Sequence, residues 1–201
     1  MKYLVFGDIH GKRSGELEGI INAEKIDSLI CLGDFDQVKA IRSFMDLEKK
    51  FIKEEKPIIV VPGNHDYAVF HNDHIHSRTL EKQGKSISEL HSELQEDSIA
   101  KEYIFNLINR KSNGIETKIG LNHSTYVVHG GLDGNSFSYL DCPKNIEDLW
   151  FRVNWGQVDY PKNFKKMEEK GYDILIRGHD HQRMYGFEVE SGYSESLFVT
   201  E

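Results

Sequence analysis

Ile58-Ile59-Val60-Val61-Pro62-Gly63-Asn64-His65-Asp66 passes from four aliphatic residues through Pro-Gly into three polar side chains. A bounded β-branched run of this length reads as a buried strand, and Pro-Gly ends it. The same pattern stands twice upstream. Tyr3-Leu4-Val5-Phe6 runs into Gly7-Asp8-Ile9-His10-Gly11, and Leu29-Ile30-Cys31-Leu32 runs into Gly33-Asp34. Stretches with helical spacing lie between the runs. In the second of them Val38, Ile41, Phe44, Met45 and Phe51 form an apolar face beside Lys39, Arg42, Glu48 and Lys49. Strand alternating with helix predicts an α/β fold that opens on a largely parallel sheet. In such sheets functional groups gather on loops at the carboxyl ends of the strands, where all three polar turns fall.

The pattern returns downstream. Tyr126-Val127-Val128 leads into His129-Gly130-Gly131, and Asp173-Ile174-Leu175-Ile176-Arg177 into Gly178-His179-Asp180-His181. Met184 to Val189 and Leu197 to Val199 read as antiparallel strands closing the fold. Residues 67–116 differ: they are polar, carry His71, His74, His76 and His91, and show helical spacing through Ile99, Tyr103, Ile104, Leu107 and Ile108. They read as a helical insertion or lid after the third strand, within a single domain spanning 1–201.

The bulk properties narrow the function classes. A chain of 201 residues with 38% hydrophobic and 29% charged side chains is a soluble globular domain large enough to fold without disulfides or a structural metal. A net charge of -8 argues against broad binding to long nucleic acids or an anionic membrane. Two cysteines, Cys31 and Cys142, make no disulfide framework, and the short apolar start is neither signal peptide nor membrane span. The expected setting is the cytoplasm.

Five strand ends carry Asp8 and His10, Asp34, Asn64 and His65, His129, and His179 with His181. A lone histidine or a lone Gly-Asp turn carries little meaning. Five turns converging on one sheet rim point to a metal site. Asp8, Asp34, Asn64, His10, His129, His179 and His181 supply two carboxylates, one amide and four neutral imidazoles, which around two divalent ions leave a site charge of about +2, or about +1 with a bridging hydroxide, enough to hold a phosphate anion. Oxygen and nitrogen ligands without thiolate suit Mn, Fe, Co, Ni or Zn better than Ca or Mg, with manganese first choice.

In order, Gly-Asp-Ile-His-Gly, Gly-Asp, Gly-Asn-His-Asp, His-Gly-Gly and Gly-His-Asp-His resemble the signature of calcineurin-like metallophosphoesterases, from Lys2 to about Val189, with the middle insertion unmatched. Gly-Asp-Ile-His-Gly, Val-His-Gly-Gly-Leu and Leu149-Trp150-Phe151-Arg152 are most similar to the branch holding Ser/Thr protein phosphatases and symmetrical dinucleoside tetraphosphatases. The resemblance implies a four-layer αββα sandwich and a hydrolase of phosphate esters acting through a metal-bridging hydroxide. Its first choice is a phosphomonoesterase; dinucleoside polyphosphates and phosphodiesters stay open, as does a non-catalytic protein-binding scaffold. The substrate would be a phosphorylated small molecule, nucleotide or phosphoprotein.

Carried over residue by residue, the resemblance implies that Asp8, His10 and His181 hold one metal. Asn64, His129 and His179 hold the other, and Asp34 bridges them. His65 would protonate the leaving oxygen and Arg152 would grip a phosphate oxygen. The chain also departs from the pattern. Where the branch reads Gly-Asp-x-x-Asp-Arg-Gly, this chain has Gln37 for the carboxylate that orients the histidine and Val38 for an arginine. Tyr67 and Ala68 follow Asp66 where another arginine is expected. Asp36 or Asp66 could orient His65, and spacing does not choose between them. Arg177 and Arg78 are substitutes for the missing arginines only in second place to surface or structural roles. Asp180 reads as a turn former, Cys31 as a buried hydrophobe, Trp150 and Trp155 as packing residues, and His71, His74 and His76 as a solvated loop.

Overall fold

The computed structural model describes residues 1–7, 9, 14–73, 85–110, 114–120, 122–130, 165, 167–178, 183–185 and 197–199. Strands β1 (Tyr3–Phe6), β2 (Ser28–Cys31) and β3 (Ile58–Val60) form a parallel sheet in that order, with Leu4 opposite Leu29 and Ile30 opposite Ile59. Helices α1 (Ser14–Glu24) and α2 (Val38–Lys53) connect them, as expected for parallel neighbours. Of the face anticipated for α2, Ile41, Phe44 and Phe51 are buried, joined by Ala40 and Leu47, while Val38 and Met45 are half-buried against the same core.

Alternation along the strands gives this sheet two apolar faces. Leu29, Cys31 and Val60, with Leu4 and Phe6, join the helical core, which includes Ile41, Phe44 and Phe51. Ile30, Leu32 and Val61, with Tyr3 and Ile59, pack on Val127, Ile115, Ile119 and Ile176 of a second sheet. That sheet comprises β4 (Ile115–Ile119), β5 (His123–Val127) and β6 (Ile174–Ile176); β4 is antiparallel and β6 parallel to β5. Strands β7 (Arg183–Tyr185) and β8 (Leu197–Val199) pair antiparallel; β8 matches the expected Leu197–Val199, and of the expected Met184–Val189 only Met184 and Tyr185 lie within the described residues. The fold is thus mixed α/β with two sheets packed across an apolar seam. Among the described residues no helix is long and apolar enough to cross a membrane.

The middle of the chain holds α3 (Asn64–His71), α4 (Ile87–Glu96) and α5 (Ser98–Ile108). Ile87, Leu90 and Leu94 of α4 and Ala100, Ile104 and Leu107 of α5 are buried in the same core as α2 and the first sheet. Two elements here were not read from sequence. One is α4, and the other is β4, whose Ile115–Ile119 alternates between half-buried and exposed. Helix α3 begins inside the polar turn that the sequence placed after the third strand, so Asn64, His65 and Asp66 form its first turn. The hydroxyl of Tyr67 donates to the Ile108 carbonyl at 2.8 Å, tying α3 to the end of α5.

Candidate metal centre

The carboxyl ends of β1, β2, β3 and β5 meet at one edge of the sheet pair. The Leu32 N–H donates to the Phe6 carbonyl at 2.8 Å and Val61 N–H to the Cys31 carbonyl at 3.0 Å. Within the second sheet, Gly178 N–H donates to the His129 carbonyl at 2.9 Å, and Arg177 Nε to the Gly130 carbonyl at 3.1 Å. Arg177 therefore links the ends of β5 and β6, the structural role that the sequence reading favoured for it.

Two glycines let the turns approach. Gly33 has φ of +80°, and a Cβ there would collide with the Gly63 nitrogen and lie 2.7 Å from the Pro62 carbonyl carbon. A Cβ on Gly63 would overlap the Asp34 carboxylate and lie 2.6 Å from the Asp34 nitrogen. Asp34 and Asp36 also adopt left-handed backbone, at φ of 62° and 42°, a conformation that Asp tolerates better than most side chains. The turn after β2 is thus wound tightly enough to aim successive carboxylates into the edge.

Asp66, at the third position of α3, is the clasp. Its carboxylate accepts from Gly63 N–H at 2.8 Å, Asp34 N–H at 3.0 Å and Phe35 N–H at 2.9 Å. The Gly63 bond caps the helix start; the other two bind the neighbouring turn. Burial, and then the nearby charge of Asp34, push the Asp66 carboxyl up to about 6, against the pull of those three amides.

Asp34, Asn64 and His129 converge, each buried with 0% exposure. Asp34 Oδ1 accepts from the His65 amide at 2.9 Å. His129 Nδ1 donates to the Leu32 carbonyl, which can only accept. The ring's Nε2 lies 2.9 Å from Asn64 Oδ1 and 3.3 Å from Asp34 Oδ2. A cation among these atoms would be held by a carboxylate oxygen, an amide oxygen and an imidazole nitrogen, each a metal-ligating type. An imidazole whose other nitrogen is fixed by a carbonyl is the usual form of a metal-ligating histidine. The residues present therefore fit a divalent metal.

Among the described residues no group of three or more His, Cys, Asp or Glu side chains is placed to hold a metal ion. The described part is one carboxylate, one imidazole and the Asn64 amide. Of the residues expected from sequence, Asp34, Asn64, His65 and His129 are brought together; Asp8, His10, His179, His181 and Arg152 lie outside the described residues, as do His74, His76, Arg78, Trp150, Trp155 and Asp180. Of the residues that border those turns, Gly178 N–H bonds the His129 carbonyl, a Cβ on Gly7 would press on the Leu32 side chain, and Ile9 is buried in the core.

His65 is buried next to the cluster, with Nδ1 3.7 Å from Asp36 Oδ2. Asp66, its neighbour in sequence, spends its oxygens on backbone amides. The positions where the branch carries arginines are occupied otherwise: Val38 opens α2 and packs on the core, while Tyr67 and Ala68 are buried in it. Cys31 is buried in β2, as read from sequence, and His71 stacks on Tyr67 with ring centroids 6.3 Å apart.

A family model described as calcineurin-like phosphoesterase matches residues 1–183. A search of curated proteins finds no match. Among solved structures, a hypothetical protein from Pyrococcus horikoshii OT3 is similar at TM-score 0.52 and 16% identity, over 97% of this chain and 86% of that one. A protein described as a novel archaeal phosphodiesterase is similar at TM-score 0.41 and 14% identity, over 99% of this chain and 100% of that one. With its strand-end aspartate, amide and imidazole in place and the family model matched over most of its length, the chain belongs to the calcineurin-like phosphoesterase family.

Proposed function

We propose that the protein is a hydrolase of phosphate esters dependent on two divalent transition-metal ions, manganese first among them, working in the cytoplasm. The carrying observation is the meeting of Asp34 Oδ2, Asn64 Oδ1 and His129 Nε2. Asn64 and His129 would hold one ion with His179; Asp8, His10 and His181 would hold the other, and Asp34 would serve both. The two-sheet seam supports the αββα arrangement as the frame for this centre. Bound divalent ions supply Lewis-acid activation of a water nucleophile and of the phosphoryl oxygens.

The chain's own groups do the rest. Leu32 holds the His129 ring through its carbonyl, and Asp34 holds the His65 backbone. Burial keeps bulk water from both imidazoles. His65 would carry the proton that the leaving oxygen takes up, and Arg152 would supply a planar guanidinium to a phosphate oxygen. The first-choice substrate is a phosphomonoester, on the resemblance of Gly-Asp-Ile-His-Gly and Leu149-Trp150-Phe151-Arg152 to the protein-phosphatase branch. Val38, and the Tyr67-Ala68 pair after Asp66, take the places of two guanidinium groups, which gives weight to substrates of lower phosphate charge as the second reading.

The test is hydrolysis of p-nitrophenyl phosphate, bis(p-nitrophenyl) phosphate and a dinucleoside tetraphosphate, each with Mn, Co, Ni or Mg and each with chelator. Metal-dependent turnover of at least one, fastest on the monoester, is expected. A folded protein inert on all three with every metal would leave the scaffold reading in its place.

A further inference from the structure

The geometry points to Asp36 as the residue that positions the ring of His65, a role that family resemblance would have placed at position 37. His65 Nδ1 lies 3.7 Å from Asp36 Oδ2, in ion-pair range and just beyond hydrogen-bond length. Both side chains are closed to solvent, at 2% and 0% exposure, so water cannot replace either partner cheaply. Two other carboxylates lie nearby among the described residues. Both Asp66 oxygens are taken by the Gly63, Asp34 and Phe35 amides. Asp34 holds the His65 backbone through Oδ1 and faces His129 through Oδ2. Gln37 is the N-cap of α2, in extended backbone, and its side chain makes no capping bond.

The backbone explains how the carboxylate moves by one position. Asp36 has φ of 42°, in the left-handed region, and Gln37 N–H closes back on the Phe35 carbonyl at 2.5 Å. Successive side chains of an extended segment point in opposite directions. A left-handed residue breaks that alternation and lets a carboxylate at 36 take a direction otherwise open to 37. Such conformations persist only where the surroundings hold them. Here Asp66 pins the residues just before it through the Asp34 and Phe35 amides. An imidazole positioned through one ring nitrogen leaves the opposite nitrogen free to deliver a proton.

This assignment rests on the phosphoesterase reading for its kinetic arm only. Asp36→Asn keeps the size and the tolerance for left-handed backbone; Asp36→Gly relieves the backbone and removes the side chain. Both are expected to fold, checked by thermal melting. On phenyl phosphate, a poor leaving group, each should lose about 10-fold to 100-fold in kcat with KM little changed, and on p-nitrophenyl phosphate much less. Adding His65→Asn to Asp36→Asn should cost little more than His65→Asn alone.

The second arm needs no turnover. In full-length protein with 15N-labelled histidine and no paramagnetic metal, the His65 ring signals are assigned by their loss in His65→Asn. In both Asp36 variants the protonated Nδ1 signal should shift and its proton exchange faster. Unchanged His65 ring signals in both variants would overturn the assignment, whether or not the protein proves to be a phosphoesterase. So would equal kinetic losses on the two esters.

Discussion

His65 is held twice, by its amide on Asp34 and by its ring facing Asp36. The two attachments separate a proton-carrying role from a ligating one. If His65 protonates the leaving oxygen, His65→Asn should reduce turnover of an alkyl phosphate by about 10²–10⁴ and that of p-nitrophenyl phosphate far less. Bound metal, measured by atomic emission after dialysis, should not change. Equal losses on both substrates would assign His65 to shaping the site. At this scale the sequence was legible in residue types: Asp34, Asn64, His65 and His129 stood at strand ends and do meet. What it could not show was which acid serves which partner. Asp36 and Asp66 are each near His65 in number or in space. Only the positive φ at Asp36, and the helical first turn that swings Asp66 onto three amides, distinguish them.

Asp97 shows how the helices that brace the site are fixed. It is the N-cap of α5, accepting from Ile99 N–H at 3.1 Å and Ala100 N–H at 2.9 Å. It also takes both arms of Arg42 on α2, at 2.9 and 2.7 Å. Arg42 first, and then the Ala100 amide, hold its carboxyl below the usual range. A lowered native pKa stabilises the fold above the unfolded-state pKa, and that contribution is lost as pH falls through the native one. Asp97→Ala should therefore cost about 1 kcal/mol at neutral pH, mostly from the cap. The gap from wild type should close as urea melts are taken below about pH 4. Asp97→Asn keeps a good cap and loses only a part-exposed ion pair, so it should cost about 0.5 kcal/mol or less. An Asn variant as damaged as the Ala variant would mean the Arg42 pair dominates. Elements were unevenly legible. The strands of the first sheet announced themselves as bounded aliphatic runs. Helix α4 was missed although Ile87, Leu90 and Leu94 recur at helical spacing behind a Ser86–Glu89 capping box; its charged outer face hid them. Strand β4 alternates, but its two charges and its dependence on pairing with β5 gave a weak signal alone.

Over the whole molecule, two sheets packed through Ile30, Leu32, Val61 and Val127 bring strand ends that are distant in sequence to one edge. Leu32 and His129 are bonded across 97 residues, a contact that no local pattern encodes. The acceptors gathered at that edge support the proposal that this fold holds two divalent ions. The most direct measurement is metal stoichiometry: manganese titration calorimetry, with elemental analysis, on the wild-type chain and on Asp34→Asn. Two ions per folded wild-type chain are expected, with weakened binding at both sites and unchanged circular dichroism in Asp34→Asn, because Asp34 would serve both ions. A folded wild-type chain that binds none of Mn, Co, Ni or Zn stoichiometrically would contradict the proposal, as would an Asp34→Asn variant that binds two ions as tightly as wild type.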